Sequence, residues 1–183
     1  INEIEKEIFF ENNDFILKAL PLKHSSICLG YSFIEKDKRK INLSYTKKFG
    51  LTKHPSLGEL QKGKDITFKG KLIKVEKATT LKKGKKISFI FDTLYTDNCI
   101  KIAQNADILI CEATYAKNLE NKAKDYMHLT AQQAALIAKN AKVKKLILTH
   151  TSQRYKDVKL LEKEAKKIFK NTITAKDFLH INL

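Results

Sequence analysis

Arginine is almost missing from this basic chain: of 36 basic residues only Arg39 and Arg154 are arginine, and the other 34 are lysine. A lysine bias of that kind can reflect the source genome as much as function. Cysteine is also scarce. Cys28, Cys99 and Cys111 form no CxxC or other ligand spacing, and an odd count without a framework fits a reducing cytoplasm rather than a disulfide scaffold. All three lie in or beside apolar stretches, as buried small hydrophobes do. No apolar run reaches the ~20 residues that a membrane helix needs. The start, Ile1 to Lys6, lacks the apolar region of a signal peptide, and it lacks an initiator methionine. Both observations give the expectation that the chain begins inside a longer, non-membrane protein.

What is present is positive charge, unevenly spread. The net charge is +16 over 183 residues. Residues 36–86 hold 17 Lys/Arg against the acids Asp37, Glu59, Asp65 and Glu76, so this stretch alone carries +13. A lysine-rich proteome would spread its charge more evenly. The clustering suits a polyanionic partner, with a solvated, charge-rich insert as the alternative. The same stretch is broken by Gly50, Pro55, Gly58, Gly63, Gly70 and Gly84 and has only short apolar pieces. It reads as an irregular or hairpin-like insertion with little core.

The rest reads as an α/β body. Four apolar runs each lead to a polar residue: Phe15 to Leu22 before His24, Ile87 to Phe91 before Asp92, Ile108 to Cys111 before Glu112, and Leu146 to Thr149 before His150. Short runs rich in β-branched and aromatic residues predict buried strands. Groups placed just past strand ends are where layered α/β proteins build sites. Thr96 can cap a helix running to about Asn105. Thr130 with Gln133 makes a capping box, and Ala134, Ile137, Ala138 and Ala141 then share one helix face. A third helix is expected from about Asp157 to Phe169, and one or two strands over Ile173–Ala175 and Phe178–Leu183.

From residue type and position alone, His24, Asp92 and His150 are candidate metal ligands, since imidazole and carboxylate suit zinc and related ions. A lone histidine beside an apolar run is more often structural, so spacing alone leaves both readings open.

Several segments, taken in order, carry more. They are Phe91-Asp92-Thr93, Cys111-Glu112-Ala113-Thr114, His128-Leu129-Thr130, and Leu148-Thr149-His150-Thr151-Ser152-Gln153-Arg154-Tyr155. They resemble the GDT, HEAT, HST and LTHxSxRY motifs of the ribonuclease Z family. Leu22-Lys23-His24 with Leu29-Gly30-Tyr31, and the ending Thr174-Ala175-Lys176-Asp177-Phe178-Leu179, are similar to two further motifs, so the resemblance spans essentially the whole chain. It implies an α/β metallo-β-lactamase-type αββα sandwich, incomplete because an N-terminal segment is absent. Residues 1–183 would be the C-terminal part of a single domain, with 36–86 as a basic exosite arm. It implies a zinc-dependent endoribonuclease that removes the 3′ trailer of precursor tRNA and leaves a 3′-hydroxyl.

The resemblance also implies roles. His24 would bind one zinc, His150 the other, and Asp92 would bridge two ions. His128 would contact the scissile phosphate or protonate the leaving oxygen, with Glu112 orienting it. Arg154, Ser152 and Thr93 would contact substrate near the cut, although Arg154 could instead serve a structural ion pair. Leu57 to Gly63 resembles the core of the arm, where Lys53 and Lys62 would meet tRNA. A homodimer, with each arm serving its partner's active site, is the implied assembly.

The departures are specific. Cys111, Phe91 and Leu129 replace the His, Gly and Ser of the family motifs, and Lys53-His54-Pro55 stands where glycine and proline are usual. No HxHxDH motif, the source of the remaining metal ligands, occurs in these residues. The expectation is that it comes from elsewhere in the same chain or from another, and that the chain alone is inactive. Two alternatives stay open: a non-catalytic RNA-binding or regulatory chain that keeps the fold, and a related metallo-hydrolase with another substrate.

Overall fold

The computed structural model describes residues 7–183. Residues 1–6, whose sequence lacks signal-peptide features, lie outside them. The chain opens with β1 (Ile8–Glu11), β2 (Phe15–Leu22) and β3 (Cys28–Glu35). The β1–β2 turn is closed by Asn12, whose Oδ1 accepts from the Asp14 and Phe15 amides, the Asx-turn habit of this residue. The β1 and β3 strands were not foreseen. The run after β3 forms a separate compact unit over residues 36–84.

That unit contains β4 (Lys38–Ile41), α1 (Leu43–Thr46), a 3₁₀ turn (Lys47–Phe49), α2 (Ser56–Gln61), β5 (Ile66–Phe68), β6 (Lys71–Ile73), α3 (Val75–Ala78) and β7 (Thr79–Lys82). It has more structure than its glycine-punctuated sequence suggested. Leu51, Leu60, Ile73 and Ala78 are fully buried, with Tyr45, Phe49 and Leu57 packed around them. The expectation of little core is therefore corrected: apolar residues too widely spaced to show a period still converge when short elements fold together. The β5–β6 hairpin turns on Lys69 and Gly70, both at positive φ, as a two-residue type I′ turn requires.

The body resumes with β8 (Lys86–Ile90), α4 (Asp97–Ala103), β9 (Ile108–Glu112), a 3₁₀ turn (Lys117–Leu119), α5 (Glu120–Asp125), α6 (Ala131–Asn140), β10 (Lys145–Thr149), α7 (Lys159–Lys166) and β11 (Thr172–Thr174). Seven strands make one mixed sheet in the order β1-β2-β3-β8-β9-β10-β11. Pairing is antiparallel from β1 to β8 and parallel from β8 to β11. Parallel neighbours need crossovers, and α4, the α5–α6 segment and α7 supply them. The Thr130–Gln133 capping box opens α6 as its sequence predicts. The last six residues form no strand, so only one terminal strand is present.

Side chains alternate across this sheet. Ser32, Ser88, Ile90, Leu109, Cys111, Leu146 and Leu148 are buried with Ile102, Ile137 and Leu161 of the helices. The Ser32 and Ser88 hydroxyls lie 2.7 Å apart, and the Ile102 carbonyl is within 2.9 Å of both, which satisfies the polar groups at the C-terminal end of α4. Gly30 permits the close approach: a Cβ there would sit 3.1 Å from Leu22 and 3.4 Å from Ile102. The other face carries Tyr31 and Phe33, 40% and 36% exposed, opposite Phe89 and Ile87. Among the described residues, the body therefore has one sheet with helices on one face. No described helix is long and apolar enough to cross a membrane.

Candidate metal centre

Asp92 follows β8, Glu112 ends β9, and His150 follows β10. The three strands are parallel neighbours, with Ile90 opposite Cys111 and Thr149 opposite Glu112, so register alone brings these residues to one sheet edge. The backbone there is bent hard. Asp92 and His150 take positive φ of 48° and 50°, and Met127, just before His128, takes 57°. Such conformations cost non-glycine residues on the order of 1–3 kcal/mol and cluster where function holds the chain in place.

The Asp92 carboxylate lies between two imidazoles. Its Oδ1 is 3.0 Å from His150 Nε2 and 3.8 Å from His128 Nδ1. It is nonetheless buried without a hydrogen bond, so the short approach to His150 lacks hydrogen-bond alignment. Asp92, His128 and His150 can each offer one ligand atom within 4.8 Å of the others. An unsatisfied buried oxygen among imidazole nitrogens is a donor set that fits a divalent cation.

His24 stands at the border of this group. Its ring centre is 5.4 Å from that of His128, and its Nδ1 lies 3.2 Å from the Met127 carbonyl. Donating Nδ1–H to that carbonyl leaves Nε2 with its lone pair, the usual way a backbone acceptor sets a ligand tautomer. Its loop is tied to the β8 loop: the Lys23 amide donates to Thr93 Oγ1 at 3.1 Å, and the Leu94 amide to the Lys23 carbonyl at 2.9 Å.

Glu112 organises the floor. It is fully buried, and its carboxylate accepts from the Thr93 amide at 2.6 Å, the Thr114 hydroxyl at 2.7 Å and the Leu129 amide at 3.0 Å. His128 Nδ1 lies 3.2–3.3 Å from its two oxygens. One carboxylate thus binds the loops carrying Asp92, Thr114 and His128. Burying a carboxyl group is costly unless its oxygens are matched with donors, and here they are.

The loop after His150 closes over the 112–116 segment. Ser152 N donates to the Thr114 carbonyl, and the Ala116 amide donates to the Tyr155 hydroxyl at 2.8 Å. Arg154 Nε donates to Ser152 Oγ at 3.0 Å, and its guanidinium lies 5.2 Å from the centre of the Tyr115 ring. Tyr115 in turn is 6.3 Å from the His128 ring. The guanidinium is therefore held by a hydroxyl and a ring face, with no carboxylate partner among the described residues, and it is exposed.

No family model matches the sequence. Individual relatives do. The chain is 40% identical over its whole length to ribonuclease Z of Nitrosopumilus maritimus, of which it covers 62%. It is 38% identical over its whole length to ribonuclease Z of Bacillus subtilis, of which it covers 61%. Over its whole length the chain is thus similar to ribonuclease Z. It spans about three-fifths of the length of these curated relatives. Human tRNase Z, short form, superposes with a TM-score of 0.58 at 25% identity, over 96% of this chain and 46% of that one. A metallo-β-lactamase fold protein from Bacillus subtilis gives 0.59 at 20% identity, over 91% and 49%. The fold is accordingly the metallo-β-lactamase one, α/β with a mixed sheet.

The segments that resemble ribonuclease Z motifs can now be placed. Asp92, His128, His150, Glu112 and His24 come together. Ser152 and Arg154 lie on the adjoining loop. Thr93 is fully buried, and its hydroxyl is committed to the Leu94 carbonyl and the Lys23 amide, so it faces the fold rather than a ligand. Lys53 and Lys62 belong to the 36–84 unit and are exposed, and Lys62 pairs with Glu59 at 2.8 Å. The motif departures fall where they disturb little. Cys111 points to the helix-covered core, where burial holds its thiol well above the ordinary range. Leu129 offers Glu112 only its amide, which any residue but proline has. Met127 and Tyr115 were not singled out from sequence; one acts through a carbonyl and a backbone bend, the other through a ring face, and neither leaves a residue-type signal.

Proposed function

We propose that this chain supplies part of the active site of a zinc-dependent endoribonuclease that removes the 3′ trailer from precursor tRNA and leaves a 3′-hydroxyl. The observation carrying this reading is the unsatisfied Asp92 oxygen between His128 and His150, above a carboxylate that fixes His128. In this reading Asp92, His150 and His24 hold metal, and the remaining ligands come from an HxHxDH segment of the same or another chain. The chemistry a zinc pair supplies in such a site is charge stabilisation at the phosphodiester and acidification of water. His128, oriented through Nδ1 by Glu112, presents Nε2 as the group that moves a proton at the leaving oxygen. Arg154, propped on Ser152 and Tyr115, binds a phosphate oxygen with its planar fork.

The 36–84 unit is the tRNA-binding exosite in this proposal, through Lys53, Lys62 and their neighbours. Phosphate contacts of this kind release counterions and read no sequence, which suits an enzyme of many tRNAs. The setting is the cytoplasm and the assembly a homodimer.

The test uses the enzyme completed by its HxHxDH segment. Bound zinc, precursor-tRNA cleavage and product ends are measured together. Zinc-dependent cleavage leaving a tRNA 3′-hydroxyl is expected. Deleting residues 40–80 should weaken tRNA binding and flatten its dependence on salt. RNA binding without cleavage in a zinc-loaded preparation would favour a non-catalytic role. Unchanged tRNA affinity after the deletion would reduce those lysines to a solvated surface.

A further inference from the structure

The β8 strand delivers Asp92 to the cluster, but its ladders stop before that residue. The last pair with β3 is Tyr31 opposite Phe89, and the last with β9 is Ile90 opposite Cys111. The Phe91 carbonyl lies beyond both. Among the described residues its hydrogen-bond partner is a side chain: Cys28, the first residue of β3, donates to it from Sγ at 3.1 Å. Cys99 and Cys111 are buried in the core, whereas Cys28 is only half-buried, and it falls between the segments that carry the family resemblance. We propose that Cys28 is a positioning residue for Asp92: its thiol pins the Phe91–Asp92 peptide and so holds the aspartate in the conformation that faces the two imidazoles. The inference rests on the reading of Asp92 as a metal ligand.

Torsion angles carry the case. The peptide between Phe91 and Asp92 is planar, and the φ of Asp92 turns about the bond that follows it. Fixing the direction of the Phe91 carbonyl therefore fixes the plane from which that φ is measured. The angle is +48°, a conformation that a non-glycine residue keeps only where its surroundings hold it. The peptide on the far side of Asp92 is held already, since the Thr93 amide donates to the buried Glu112 carboxylate at 2.6 Å. One pin alone would let the other peptide swing and the backbone relax. With both peptides held, neither φ nor ψ of Asp92 is free, and its Oδ1 stays 3.0 Å from His150 Nε2 and 3.8 Å from His128 Nδ1.

The same bond ties two loops together. Cys28 pairs with Leu22 at the base of the β2–β3 loop that carries His24. Lys23 fastens the near side of that loop to Thr93 and Leu94, and the Cys28 thiol fastens the far side to Phe91. A thiol suits the task because at its ordinary pKa of about 8.5 it keeps its proton at neutral pH, and burial raises it further here. It is a weak donor, so the expected effect is modest in size and specific in pattern.

Three variants separate a donor from a filler. Cys28→Ser keeps a proton donor, Cys28→Val keeps apolar bulk without one, and Cys28→Ala removes both. Zinc affinity is measured by chelator competition on the protein completed by its HxHxDH segment. The NMR shifts of the Phe91 carbonyl carbon and the Asp92 amide nitrogen are recorded on the metal-free chain. Cys28→Val and Cys28→Ala should bind zinc about two- to fivefold more weakly, the scale of one weak hydrogen bond, and should displace both shifts. Cys28→Ser should stay near the parent in affinity and shifts alike. Parent-like behaviour of Cys28→Val with a loss in Cys28→Ser would make the residue a packing group and overturn the proposal. Shifts at Phe91 and Asp92 indifferent to all three substitutions would overturn it too. If the parent itself binds no zinc, the metal-ligand reading falls, and the metal-free shifts alone decide whether the thiol holds the peptide.

Discussion

The three central parallel strands carry an aspartate at each end of the layer, and the two are treated in opposite ways. At the amino ends, Asp107 accepts from the Lys86 amide and the Lys144 ammonium, both at 2.8 Å, with Lys85 at 3.7 Å. At the carboxyl ends, Asp92 sits on a strained backbone beside two imidazoles with one oxygen unsatisfied. One carboxylate is used up in stabilising the fold. The other keeps one oxygen without a hydrogen bond, 3.0 Å and 3.8 Å from two imidazole nitrogens. Satisfaction of a buried polar group is the norm in proteins, and among the described residues Asp92 Oδ1 shares the exception with Thr174 Oγ1, which has no imidazole cluster beside it.

Mutations at the two ends should therefore fail differently. The largest effects belong to the open end. Under the proposed endoribonuclease reading, Asp92→Ala in the protein completed by its HxHxDH segment should lose bound metal and activity together. His128→Ala should cut turnover on the order of 10²–10⁴-fold, as for a lost general acid, with little change in bound zinc. Zinc content and single-turnover cleavage on the same preparations decide it. Equal metal loss in both variants would move His128 into the ligand set with Asp92 and His150.

Glu112 tests where the boundary between the two behaviours falls, since it sits at the open end but is fully satisfied. Glu112→Ala removes the acceptor of the Thr93 and Leu129 amides in a buried site. It should destabilise the chain by about 3 kcal/mol, within the range for stranded buried donors, besides disturbing His128. Urea denaturation of the variant measures this. A stability change below about 1 kcal/mol would show that water replaces the carboxylate, and that the floor is less closed than its burial implies.

Much of this was legible in the sequence, and the rest was not for identifiable reasons. Ile87–Phe91, Ile108–Cys111 and Leu146–Thr149 announce strands because their runs are short and β-branched, and a polar residue past each run marks the sheet edge. The Thr130–Gln133 box is legible because capping is local. The β1 and β3 strands were passed over because their half-exposed aromatic face breaks the buried-strand pattern. The 36–84 core was missed because Leu51, Leu60 and Ile73 meet only through tertiary folding. Of the cluster, residue types gave the ligand candidates, but nothing in a single sequence shows the positive φ of Asp92 or the Met127 carbonyl behind His24. That Thr93 spends its hydroxyl on backbone is likewise visible only in space.

The smallest effect belongs to the closed end, where the pH dependence carries the information. Burial pushes the Asp107 carboxyl up, but the Lys144 ammonium, the Lys86 amide and the charge of Lys85 outweigh it and hold it below its ordinary value. A carboxylate whose folded-state pKa is depressed contributes stability that is fully present above its unfolded pKa and is lost as pH falls through the folded one. Lys144 is 72% exposed, so that ion pair is heavily screened, and the Lys86 amide should account for most of the effect. Asp107→Ala is therefore expected to cost about 1–2 kcal/mol at neutral pH, the penalty of a part-buried amide left without its acceptor. The difference between parent and variant should shrink as pH falls below about 4, the ordinary carboxylate range, and should respond weakly to added salt. Urea midpoints for both proteins at a series of pH values measure this. A difference that stays constant through the acid range would mean that Asp107 acts by packing alone. The two ends of the strands would then differ in exposure rather than in how their charges are satisfied.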